Sequence, residues 1–74
     1  MAPPLPEATV LRFRVPLAEI GYVRMIVEAY DGLAVMVSPG RGRSLVEWWV
    51  APGREAEAET LAQALAAETG MTRA

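Results

Sequence analysis

Seventy-four residues, 53% of them hydrophobic and 22% charged, make one small domain that is too apolar and too weakly charged to stay disordered. Neither Cys nor His occurs, which excludes thiol nucleophiles, disulfides, zinc fingers, imidazole bases and Ser/His/Asp triads. All seven basic residues are Arg, and against nine acidic ones they leave a formal net charge of -2, which argues against broad nucleic-acid affinity.

Lys and Asn are absent and Ala is abundant, as in a GC-rich genome. A heat-loving source fits the same bias, but the proteome-wide hyperthermophile signal is Lys and Glu enrichment, so codon usage is the simpler reading. Residues 1–8, with Pro3, Pro4 and Pro6, read as a loose leader ahead of a domain over 9–74. The leader lacks the basic start and long apolar stretch of a signal peptide. Glu19, Arg24, Glu28 and Asp31 break up the longest hydrophobic region well before about 18 apolar residues accumulate, so no membrane span is expected. The expected location is the cytoplasm.

Thr9 to Val15 alternates, with Leu11, Phe13 and Val15 on one side and Val10, Arg12 and Arg14 on the other, which predicts a half-buried strand. Pro16 breaks the ladder, and Leu17, Ile20, Val23, Val27 and Tyr30 then recur at helical spacing. The spacing predicts a helix over 17–30, stopped at Asp31-Gly32. Residues 33–37 and 44–51 predict a second and a third strand, joined as a hairpin by Ser38-Pro39-Gly40-Arg41-Gly42-Arg43. Pro52-Gly53 opens a second helix with Ala58, Leu61, Ala62 and Leu65 as its apolar stripe, and Gly70 stops it. Met71 can fold back beneath the last turn, with too little chain beyond it for a full strand.

The resulting order is β-α-β-β-α, an α+β arrangement one strand short of the ferredoxin-like split β-α-β. It places strands one and three side by side at the centre of an antiparallel sheet, strand two outside strand three, and both helices on one face. A fourth strand is expected to be absent or vestigial, which leaves strand one on an open edge. So small a core with an open edge predicts a homodimer. With Val35, Val37, Val46, Trp48 and Val50 placed under the helices, the opposite face carries Val10, Arg12, Arg14, Ala34, Met36, Leu45, Glu47 and Trp49. Arg12 or Arg14 then pairs with Glu47, and Trp49, Met36 and Leu45 form an apolar interface patch.

Other motifs weigh less. Arg41 and Arg43 in the Gly-containing hairpin offer an anion contact, but with no Walker lysine or following helix the stretch reads first as an ordinary turn. Strand three resembles the RNA-stacking strand of RRM domains through Trp49. Glu47 on the same face, the missing glycine and Arg in place of an aromatic on strand one count against RNA binding. Glu19, Glu28, Asp31 and Glu47, Tyr22 and Tyr30, and Ser38 and Ser44 are the groups able to do chemistry, and no spacing assembles them into a site. Met25 and Met36 read as packing residues, and neither an enzyme, a metal nor a cofactor is expected.

Val15-Pro16-Leu17-Ala18-Glu19-Ile20 followed by Asp31-Gly32-Leu33-Ala34-Val35 resembles ACT domains. That resemblance implies a ferredoxin-like regulatory module that binds amino acids at a dimer interface, although Leu17 stands where that family has Gly after the Pro. Glu19-Ile20-Gly21-Tyr22, Ile26 to Ala34 and Val50-Ala51-Pro52-Gly53-Arg54 are similar to an uncharacterised family of short bacterial proteins of ACT-like shape, a domain of unknown function. The expectation is a non-enzymatic, self-associating regulatory or interaction module, with amino-acid-type ligand sensing as the alternative and single-stranded RNA binding third.

Overall fold

A computed structural model describes residues 8–38 and 44–74. Strand β1 runs Thr9–Arg14, with Leu11 and Phe13 buried and Arg12 and Arg14 exposed, as the alternation requires. Val15 leaves the strand but stays in the core, its N–H donating to the Ser44 carbonyl at 2.7 Å. The predicted first helix is divided. A 3-10 turn over Leu17–Glu19 precedes α1, Ile20–Ala29. Val23 and Val27 form the buried stripe, while Leu17 and Tyr30, expected on it, are 59% and 42% exposed. Three residues per turn swing Leu17 out of phase with the α-helix, and Tyr30 has already turned extended (ψ 92°). Tyr30 therefore does not lay its ring on the core. The turn closes through Gly32 (φ 72°) and the Leu33 N–H, which donates to the Tyr30 carbonyl at 3.0 Å.

Strand β2, Ala34–Val37, and strand β3, Leu45–Val50, pair antiparallel with Met36 opposite Trp48 and Val35 opposite Trp49. This reverses the expected phase of β2. Met36, with Ala34, faces the helices and is 4% exposed, whereas Val35 is 50% exposed on the other side. Leu33 is fully buried in the preceding turn, so two successive residues point inward and the alternation restarts one residue late.

Helix α2, Glu55–Thr69, buries Ala58, Leu61, Ala62 and Leu65 as its spacing requires and ends at Gly70 in the left-handed conformation (φ 80°). Met71 then packs into the core. Beyond it a fourth strand, β4, is present at Thr72–Arg73 and pairs antiparallel with Arg14 and Phe13. The burial of Met71 anchors it, the Ala74 N–H donates to the Arg12 carbonyl at 3.0 Å, and the Arg73 guanidinium lies 5.0 Å from the Phe13 ring centroid while pairing with Glu59 of α2.

The sheet order is β2-β3-β1-β4, with every neighbouring pair antiparallel. Helix α1 joins β1 to β2 across β3, and α2 joins β3 to β4 across β1. One core fills the space under both helices, centred on the fully buried Trp48, whose ring meets Phe13 at 4.7 Å between centroids. The edge of β1 expected to be open is thus closed over Arg12–Arg14 by the chain itself. The radius of gyration is 11.3 Å, which matches the roughly 11 Å that size scaling gives for a compact chain of this length. With β4 in place, a missing strand gives this chain no reason to form a homodimer.

Candidate functional site

With both helices on one side, the other face of the sheet carries the side chains that alternate away from the core. The register arranges them in rows across the strands. Val35, Trp49 and Val10 form an apolar row. Val37, Glu47 and Arg12 form the next, and Leu45, Arg14 and Thr72 the last. Of the interface residues expected from sequence, Val10, Arg12, Arg14, Leu45, Glu47 and Trp49 are together here, and Met36 is not. Val35 and Val37 take the places assigned to Ala34 and Met36. Arg41 and Arg43, the expected anion contacts, lie outside the described residues.

Glu47 is the hinge of this face. It accepts the Trp49 indole N–H on Oε1 and Arg12 Nε on Oε2, each at 2.9 Å. The Trp49 N–H, and after it the Arg12 guanidinium, hold the Glu47 carboxyl below its usual range against the opposing push of burial. Trp49 is 8% exposed and lies outside the central core cluster, its ring flanked on the two neighbouring strands by Val10 and Val35. An apolar groove of about 190 Å³ runs beside it, lined by Gly32, Val35, Trp49 and Ala51 among others.

The groups with chemical potential are dispersed. Tyr22 and Glu19 meet Glu68 at the surface, where the Tyr22 hydroxyl donates to Glu68 Oε1 at 2.9 Å and that bond, chiefly, raises its pKa. Glu28 and Asp31 are exposed at the end of α1 and just beyond it, and the Asp31 carbonyl accepts from Arg54 at 2.7 Å. Ser38 is exposed, and Ser44 lies with Arg14, Pro16 and Thr72 along a shallow groove of about 250 Å³. Among the described residues, no three carboxylates are placed to hold a metal ion. No helix among them is long and apolar enough to cross a membrane.

A family model matches residues 13–69, well over half of the chain. The chain belongs to the family described as a domain of unknown function (DUF4911). No curated protein and no solved structure matches it. The DUF4911 match takes in both helices, β2 and β3, and so Arg24, Val35, Glu47 and both tryptophans. It begins after Val10 and Arg12 and ends before β4. Sequence reasoning missed Val35 and Val37 because β2 is apolar on both faces. The signal that could have corrected it was Gly32, whose turn can set Leu33 inward ahead of the strand.

Proposed function

We propose that this DUF4911 chain is a bacterial ferredoxin-like, ACT-like plait that works as a non-enzymatic interaction module, self-associating through the helix-free face of its sheet. Two split β-α-β units sharing one antiparallel sheet support the plait reading. The observation that carries self-association is the layout of that face. Its apolar row, with Val35 half exposed, lies next to the Glu47–Arg12 ion pair. A two-fold axis lying along the strands between β1 and β3 brings the apolar row onto its own copy. The same axis sets each Arg12 over the other chain's Glu47, so the pattern is complementary to itself.

Light scattering after gel filtration tests this reading. The expected mass at micromolar concentration is that of two chains, falling to one in Val35→Glu with the circular dichroism unchanged. A wild-type mass of one chain overturns it. A second reading, binding of a small carboxylate such as an amino acid, is favoured by the groove that Arg14, Ser44 and Thr72 line with hydrogen-bond donors. A single-chain mass together with a melting temperature raised by amino acids selects that reading over the first.

A further inference from the structure

Among the described residues the sheet ends on β2, and the hydrogen bonds fix which way that strand's backbone points. The Ala51 N–H donates to the Leu33 carbonyl at 2.9 Å, so Leu33 and Ala51 are a hydrogen-bonded pair. Antiparallel alternation then directs Val35 and Val37 toward β3 and turns the N–H and C=O of Ala34 and Met36 to the free edge. The same alternation carries through the sheet. The Val15 N–H meets the Ser44 carbonyl, and the outward-facing Arg12 carbonyl receives the Ala74 N–H.

An edge of this kind pairs readily with another strand. Leu33-Ala34-Val35-Met36-Val37 is uncharged, contains no Pro and is rich in strand-forming side chains, the composition of segments that associate edge to edge. Its outward groups alternate donor and acceptor, so a copy turned about a two-fold axis normal to the sheet presents the matching row in antiparallel register. One contact stands in the way. Arg24 of α1, itself half-buried, sends Nη1 over the edge to the Met36 carbonyl at 2.9 Å. That carbonyl is an acceptor an incoming strand needs, and the guanidinium fills the position that strand's backbone would take.

We infer that the free edge of β2 is a strand-pairing surface for a second copy of this chain and that Arg24 holds it closed. The inference is independent of association through the sheet face, since edge pairing extends the sheet sideways and leaves the face uncovered.

The test compares Arg24→Ala, Arg24→Lys and the double variant Arg24→Ala/Ala34→Pro with wild type, by light scattering and by hydrogen exchange at Ala34 and Met36. Arg24→Ala is expected to raise the mass above that of wild type under the same conditions and to slow exchange at those two outward amides. Arg24→Lys, which keeps a cationic donor, is expected to retain the wild-type mass. The proline removes an outward N–H without breaking the ladder to β3, so the double variant is expected to return to the wild-type mass. Arg24→Ala at the wild-type mass with both amides still exchanging fast overturns the inference. A mass increase that Ala34→Pro does not reverse, or that leaves those amides unprotected, overturns it as well. Carrying Val35→Glu in parallel separates the two associations, because loss of the face dimer alone leaves the amides of Ala34 and Met36 unchanged.

Discussion

Trp48 and Trp49 share a peptide bond, yet β3 turns the first toward the helices, where it is fully buried against Phe13, and the second toward the helix-free side, where its indole N–H reaches Glu47. The two positions satisfy different requirements. Trp48 fills the space under two helices, and its Nε1 is buried with no hydrogen-bond partner among the described residues. Trp49 has its N–H bonded and lies beside an open apolar groove on the helix-free face. Packing decides the first site and polar complementarity the second, and each choice leaves a different weakness.

Truncation separates them most. Trp48→Ala leaves an enclosed cavity, so it is expected to lose about 3–5 kcal/mol, enough to unfold a domain of this size. Trp49→Ala leaves a dent that neighbours and water can enter, without the full cavity cost, and is expected to lose less than about 3 kcal/mol. Urea unfolding of the two variants checks the order. Equal losses would show that the outer face packs as tightly as the core.

The same contrast explains which parts of the molecule could be read from its residues. Strands β1 and β3 alternate charge against hydrophobe, so Arg12 and Glu47 fix their phase and the Arg12–Glu47 pair follows from it. The stripe on α2 and the stop at Gly70 were equally legible, because small and large apolar residues recur there against glutamates. Strand β2 has no charged residue to mark a face, and only the turn at Gly32–Leu33 sets its phase. Strand β4 is two residues long, too short for any period, and depends on Met71 being drawn into the core. In the sequence Arg24 does no more than interrupt an apolar run. Its contact with Met36 exists only because α1 lies over the sheet edge.

Replacing each indole by phenyl sharpens the comparison with a smaller effect. Trp48→Phe loses volume but also removes a buried, unpaired donor whose desolvation costs about 1–3 kcal/mol, so the two changes largely offset. Trp49→Phe removes a donor that is in use and leaves Glu47 Oε1 without it, at a cost of about 1 kcal/mol. The expected result is that the phenyl substitution at the core site costs no more than the one on the outer face, the reverse of the alanine order. If Trp48→Phe is clearly the costlier of the two, the unpaired indole N–H is not a liability and volume alone governs that site.

Acid provides the finest probe, because it acts on the outer face and not on the core. The Trp49 N–H, and then Arg12, lower the folded-state pKa of Glu47 from its ordinary 4.5. A depressed carboxylate contributes stability that is fully present above the unfolded value and is lost as pH falls through the folded one. The difference in urea midpoint between wild type and Glu47→Gln is therefore expected to shrink as pH is lowered from neutral through the carboxylate range. In Trp49→Phe the larger of the two causes is gone, so the same difference should start smaller and change less. Trp48→Phe leaves the Glu47 environment intact and should reproduce the wild-type pH dependence. A matching loss of pH dependence in Trp48→Phe would mean that the two faces of β3 are coupled through the strand, and that the separation between a packing site and a polar site does not hold.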